Sequence, residues 1–163
     1  MAKNISDPKI WYKIINKLNE TELNYVLVGG AALVIHGLPK STIDIDIYVP
    51  AKEEVLNKLF KIADFLGLKT EQKDILKISH LPNLFVNQWI CFSYKGQDIL
   101  DVFFASEKEF NKLYINSQQK NDRTTTIRVA SLKDIETMKK KSSRPRDRDD
   151  LKFIKEAKKY KKI

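Results

Sequence analysis

Hydrophobic residues recur along this chain in two rhythms, one helical and one extended, and their succession predicts a mixed α and β architecture. Ile10, Trp11, Ile14, Ile15 and Leu18 mark one face of a first helix. Asp7-Pro8 stands where an N-cap and a first helical residue belong. Residues 25–28 read as a short buried strand that runs directly into Gly29-Gly30. Residues 31–36 then form a brief helix, stopped by Gly37 and Pro39. The run Ile43-Asp44-Ile45-Asp46-Ile47-Tyr48-Val49 alternates like a half-buried strand and ends at Pro50. Val55, Leu56, Leu59, Phe60, Ala63 and Leu66 carry the next helix, with Gly67 as its C-terminal cap.

The second half is richer in strands. Residues 84–94 and 98–104 flank Lys95-Gly96-Gln97, which reads as a hairpin turn. A helix is expected over 107–115, a polar loop over 116–123, and a β-branched strand over 124–130. Ser131-Leu132-Lys133-Asp134 resembles a capping box with Asp in place of Glu or Gln, so a helix follows to about Lys141. After a loop over 142–146, Asp147 opens a last helix with Leu151, Ile154, Ala157 and Tyr160 on its apolar side. There is no internal repeat and no low-complexity linker. The order suits one mixed sheet flanked by helices, an α/β (α+β) fold in a single domain over 1–163.

Length and charge narrow this picture. With 163 residues the chain can bury a real core. The single cysteine, Cys91, excludes an intrachain disulfide and fits a reducing cytosol. The start shows no signal-peptide core, and the longest uncharged stretch, 25–39, is shorter than a bilayer span. A cytoplasmic protein with no membrane partner is expected. The net charge of +9 is concentrated at the end: residues 139–163 hold 12 Lys or Arg against 4 Asp or Glu, leaving the rest near neutral. Such a tail is either a solvated lysine face or the footprint of a polyanionic partner, a nucleotide, an RNA or an acidic protein.

Four features carry candidate chemistry. Gly29-Gly30 lies between a strand and a helix, so its amides either face an anion or merely permit a tight turn. Asp44 and Asp46, two residues apart on an expected strand, share one face while the isoleucines take the other. Neighbouring like charges are costly unless solvated, hydrogen-bonded or bridged by a divalent metal. Asp101 stands inside Ile99-Leu100-Asp101-Val102-Phe103-Phe104, where a carboxylate needs a hydrogen bond, an ion pair or a metal shared with the first two. Asp98 is a rival for that place. Lys139 follows Ile135 by four residues, on the margin of a helix's apolar stripe, where its amine either snorkels to solvent or meets a phosphate in a cleft.

Gly29-Gly30-Ala31-Ala32, His36-Gly37, Ser41-Thr42-Ile43-Asp44-Ile45-Asp46 and the 139–151 segment together resemble the nucleotidyltransferase superfamily of the DNA polymerase β type. The branch most similar is the bacterial abortive-infection group, which includes toxins of type IV toxin–antitoxin systems. The resemblance runs from Tyr25 to about Ile154 and implies a nucleotidyltransferase fold with a catalytic core over 25–130 and a basic C-terminal helical segment over 131–163. It implies that Gly29, Gly30, Thr42 and Lys139 bind the nucleotide and that Asp44, Asp46 and Asp101 are catalytic and ligate Mg2+, in a two-metal site that Mn2+ could also fill. Asp147 and Asp150 match acidic positions that orient Lys139 and Arg144 or brace the last helix.

Two departures stand out: Gly30 replaces the usual serine of the first motif, and Lys40 stands where many relatives carry arginine. The resemblance implies a nucleoside triphosphate donor and transfer of a nucleoside monophosphate to a hydroxyl. The basic tail favours an RNA such as a tRNA, or an acidic partner protein, as acceptor, over a polycationic aminoglycoside. A cognate antitoxin is a further expected partner. The alternative is a catalytically silent domain that binds nucleotide or a partner.

Overall fold

The computed structural model describes residues 8–160. Seven helices and six strands follow one another as α1 (Pro8–Glu20), β1 (Val26–Val28), α2 (Gly29–Ile35), β2 (Ile45–Pro50), α3 (Glu53–Leu66), α4 (Pro82–Phe85), β3 (Trp89–Tyr94), β4 (Gln97–Ala105), α5 (Glu107–Asn116), β5 (Gln118–Asp122), β6 (Thr125–Val129), α6 (Leu132–Lys140) and α7 (Pro145–Lys159). Asp7, the expected N-cap of α1, lies outside the described residues. The strands form one mixed sheet in the order β3-β4-β2-β1-β6-β5. The pairs β2–β4 and β1–β6 are parallel, and the other three are antiparallel.

Alternation along the central strands gives the sheet two different faces. On one, Ile45 lies opposite Leu100, Ile47 opposite Val102 and Val49 opposite Phe104. Ile90 and Phe92 of β3 extend the same rows. All of these side chains are buried in one continuous core. Phe60 of α3 meets Phe92 edge to face at 5.9 Å, and Phe85 of α4 packs on Phe104 at 4.7 Å. On the other face the register aligns Asp46, Asp101 and Cys91 in one row, and Tyr48, Phe103 and Trp89 in the next. The core face holds the sheet together; the second face carries the polar chemistry.

Several local expectations need correction. Asp44 precedes β2 rather than lying on it, and Ile43 is half exposed instead of joining the isoleucine row. The three-residue β1 is the cause: its last pair is Val28 with Asp46, and at Gly29 the chain turns away. Residues 84–88 are not strand. Pro82 starts the short helix α4, and Asn87, at φ 70°, ends the segment before β3 begins. The expected loop over 116–123 contains β5, an edge strand of polar residues that pairs with β6 through its backbone and so shows no apolar alternation. Helix α7 begins at Pro145, and of its expected apolar side only Ile154 is buried, while Tyr160 lies past its end in solvent.

Other local signals hold. Gly67 caps α3 in the left-handed conformation at φ 75°. Lys95 and Gly96, at φ 50° and 80°, make a two-residue turn between Tyr94 and Gln97, the twist that a hairpin prefers. Ser131 Oγ accepts the Asp134 N–H at 3.1 Å, while the Asp134 carboxylate bonds Asn116 instead of closing the box.

Candidate active site

At the end of β1 the chain passes through Gly29 at φ 71°, a conformation that L side chains rarely adopt. The conformation is not the only constraint, because a Cβ at Gly29 would be driven into the Asp46 carboxylate. Gly29 and Gly30 form the first turn of α2 beside the second face of the sheet. His36, next to the end of α2, fastens the helix to the sheet: its Nε2 lies 2.8 Å from the Ala130 carbonyl. Burial lowers the His36 pKa, so the neutral ring serves as donor there.

Asp46 on β2 and Asp101 on β4 are directly opposite in a parallel pair. Asp44 reaches the same place from the segment before β2. Each of the three offers a carboxylate oxygen, and these oxygens lie within 4.8 Å of one another. Burial first, then the charges of Asp44 and Asp101, push the Asp46 pKa up to about 7. Three hard oxygen donors so close together, one of them forced to keep a proton near neutrality, form a set that suits a divalent cation. Cys91, opposite Asp101 on β3, stays a thiol because burial and the carboxylates of Asp101 and Asp98 raise its pKa.

Asp44, Asp46 and Asp101 line a cavity of about 720 Å3 together with Gly29, Gly30, Lys40, Thr42, Arg144 and Arg146. Asp98 lines it too, from the start of β4. Thr42 Oγ1 donates to the Asp44 carbonyl at 3.3 Å and would lie 3.3 Å from a Cβ at Gly30. A threonine hydroxyl thus stands beside the position where the first motif usually supplies a serine.

Lys139 differs from its expected setting. It is buried rather than snorkelling, and its amine bonds Asp147 at 3.1 Å and Asp150 at 2.8 Å. Asp150 also receives Lys40 at 2.6 Å, and Asp147 receives Arg144 Nε at 3.0 Å. Burial works against the Asp147 carboxylate, yet hydrogen bonds from Ser142, Lys139 and Arg144 hold its pKa down at about 2. The Asp150 pKa is lowered against the same opposition by Lys139 and Lys40. Three cations around two buried carboxylates thus tie the segment before β2 to α6 and α7.

Sequence reasoning singled out Gly29, Gly30, Thr42, Asp44, Asp46, Asp101 and Lys139, and the structure brings all seven to one cavity. It did not select Lys40 or Arg146. Lys40 and Asp150 are 110 positions apart, with no periodic signal to link them.

The fold is shared with enzymes of known chemistry. A lincosamide antibiotic adenylyltransferase, LnuA, seen with lincomycin bound, is similar over 93% of this chain and 98% of its own, with 16% identity and a TM-score of 0.66. ANT(2")-Ia, seen with adenylyl-2"-tobramycin, is similar over 89% of this chain and 85% of its own, with 13% identity and a TM-score of 0.58. An antigenic nucleotidyltransferase-like protein from Paracoccidioides brasiliensis is similar over 90% and 72%, with 13% identity and a TM-score of 0.56. No curated protein matches the sequence itself. Residues 11–158, however, match the family described as "Nucleotidyltransferase of unknown function (DUF6036)", so the chain belongs to this nucleotidyltransferase family.

Proposed function

We propose that the chain is a Mg2+-dependent nucleotidyltransferase that moves a nucleoside monophosphate from a nucleoside triphosphate to a hydroxyl of an RNA acceptor. The observation that carries this reading is the meeting of Asp44, Asp46 and Asp101 in the cavity that Gly29 and Gly30 border. Asp44, Asp46 and Asp101 would hold the metal, which supplies charge neutralisation at the phosphates and a lowered pKa for a hydroxyl in its reach.

The protein groups divide the remaining work. Backbone amides of the Gly29-Gly30 turn face the triphosphate, as helix N-termini do with anions. Thr42 contributes a hydroxyl, and Lys40, Arg144 and Arg146 contribute positive charge at the cavity wall. Arg144 is three-quarters exposed and held by a single carboxylate, whereas Lys139 is fixed by two carboxylates and acts from behind them. Asp101 accepts the proton of the acceptor hydroxyl. The acceptor oxygen bonds to the α-phosphorus, the bond from that phosphorus to the bridging oxygen breaks, and pyrophosphate leaves with the electron pair.

RNA is favoured by α7, where Arg146, Arg148, Lys152, Lys155 and Lys159 are exposed in a helix whose N-terminal end borders the site. The antibiotics bound to the fold relatives are small molecules, and a polycationic aminoglycoside would meet like charge here. A partner protein is the competing acceptor. A toxin role with a cognate antitoxin belongs to the same reading and rests on the sequence resemblance alone.

The test is incubation of purified protein with Mg2+, each labelled nucleoside triphosphate, total RNA and a protein extract. A labelled RNA that disappears with Asp44→Asn and Asp46→Asn supports the proposal. Label on protein moves the acceptor to that class. Nucleotide binding with no labelled product in any fraction defeats the proposal in favour of a silent binding domain.

A further inference from the structure

One residue pair beyond the carboxylate row, the same open face of the sheet carries three aromatic rings in line. Tyr48 stacks on Phe103 with centroids 5.2 Å apart and planes 23° from parallel. Phe103 stacks on Trp89 at 6.4 Å and 29°. The line crosses β2, β4 and β3 in register, so each ring stands two residues along its strand from Asp46, Asp101 or Cys91. Two steps along a strand are about 7 Å. Trp89, on the edge strand, is 48% exposed, a large share for a tryptophan in a stacked row.

The position of this row relative to the cavity is informative. Gly29, Lys40, Thr42, Gly96 and Asp98 place the cavity toward the start of β4, before Asp101. Phe103 lies after Asp101, and none of the three rings lines that cavity. Asp101 therefore separates a charged cavity that fits a triphosphate from an aromatic surface that does not. A group-transfer site needs its acceptor on the far side of the reacting phosphorus from the leaving pyrophosphate. With the triphosphate in that cavity, the aromatic row would take the acceptor's side.

Resting on the RNA-acceptor reading above, we propose that Trp89, with Phe103 stacked behind it, forms a stacking subsite for an unpaired base at or next to the reacting end of a single-stranded RNA. Aromatic faces accept any base, while a positively charged surface holds the backbone; this pairing is how single strands are bound without sequence readout. The positive surface is supplied by α7, which exposes Arg146, Arg148, Lys152, Lys155 and Lys159 and borders the cavity at its N-terminal end. Tyr48 backs the row on its inner side, and Phe103 is held between its two neighbours.

The experiment reads binding without any nucleoside triphosphate, using the full chain, a six-nucleotide oligoadenylate, inorganic polyphosphate and poly-glutamate. Oligoadenylate quenches tryptophan fluorescence, and the quench is lost in Trp89→Phe, which still binds labelled oligoadenylate within a fewfold. Trp89→Ala and Phe103→Ala weaken that binding about ten- to a hundredfold. Trp89 is exposed, so its alanine variant keeps the fold even where Phe103→Ala does not. Polyphosphate competes for the basic surface without quenching Trp89.

Equal RNA affinity in Trp89→Ala and the unmodified protein overturns the subsite. So does a Trp89 quench by poly-glutamate with none by RNA, which marks a protein acceptor. The two proposals fail separately. Oligoadenylate binding at Trp89 with no transfer to any RNA leaves the subsite and removes the activity; transfer with an RNA KM unmoved by Trp89→Ala does the reverse.

Discussion

Gly29 and Asp46 stand so close that a Cβ on the glycine would overlap the aspartate carboxylate. This contact couples the Gly29-Gly30 turn to a carboxylate of the acidic triad. Gly29→Ala must both strain a φ of 71° and push Asp46 aside. The backbone alone costs about 1–2 kcal/mol. A displacement of about 1 Å at a reacting centre costs about a hundredfold in rate. We expect kcat/KM for transfer to fall at least that far in Gly29→Ala. Gly30→Ala meets Thr42 Oγ1 at 3.3 Å without a positive φ, and steady-state kinetics of the two variants side by side should show a much smaller loss for it.

Much of this site was legible in the sequence because it is built from short-range patterns. The β2 alternation exposed Asp46, the apolar run of β4 made Asp101 conspicuous, and Gly29 followed a strand. What could not be read were relations that only tertiary structure sets. The early end of β1 moved Asp44 off its strand, although its carboxylate still reaches the other two. Helical spacing put Lys139 on the margin of an apolar stripe and the resemblance made it a nucleotide contact, but its burial depends on Asp147 and Asp150 of the next helix. Strand β5 carries polar residues on both sides, so only its hydrogen bonds to β6 reveal it. The line of rings needed the register of three strands.

Asp46 makes stability depend on pH in an unusual direction for an aspartate. Its folded pKa, about 7, lies above the ordinary value of 3.8, so in metal-free protein the native state binds more protons than the unfolded chain between those limits. Stability therefore falls as pH rises from about 4 to 7 and levels off above. Asp46→Asn removes this loss. At pH 8 without metal it should melt higher than the parent by about 2–4 °C for each kcal/mol relieved. Mg2+ should raise the melting temperature of the parent more at pH 8 than at pH 5, and that of Asp46→Asn much less. Calorimetry at the two pH values, with Mg2+ and with chelator, measures all four combinations.

Lys139 and Arg144 touch the same carboxylate, Asp147, from opposite sides of solvent exposure. Removing Lys139 leaves Asp147 and Asp150 buried with one partner fewer each, and Lys139→Met should cost about 3–5 kcal/mol of stability. Arg144→Ala removes an exposed partner and should cost no more than about 1 kcal/mol. The order reverses for ligand, because Arg144 faces the cavity. Arg144→Ala should weaken triphosphate binding about tenfold while its urea midpoint stays near the parent's. The network also predicts acid sensitivity. Both carboxylates have folded pKa values below the ordinary one, so their contribution is complete above about pH 4 and is lost on acidification, that of Asp147 toward pH 2. Urea titrations at pH 7, 4 and 2.5 should show the parent losing stability over that range more steeply than Lys139→Met.

Exposed cations on α7 give the final expectation its sign and size. Arg146, Arg148, Lys152, Lys155 and Lys159 lie in solvent, whereas Lys158 is paired with Glu136. An RNA strand that engages about five such charges releases counterions, and the logarithm of its affinity should fall with that of salt concentration at a slope of about −3.5. Replacing Lys152 and Lys155 with glutamine together should flatten that slope by about 1.4. Trp89→Ala should leave the slope unchanged while lowering affinity at every salt concentration, since stacking releases no counterions. Filter binding of a labelled single strand between 50 and 300 mM salt separates the two contributions. A slope near zero in the parent would remove RNA as the polyanion that this helix serves.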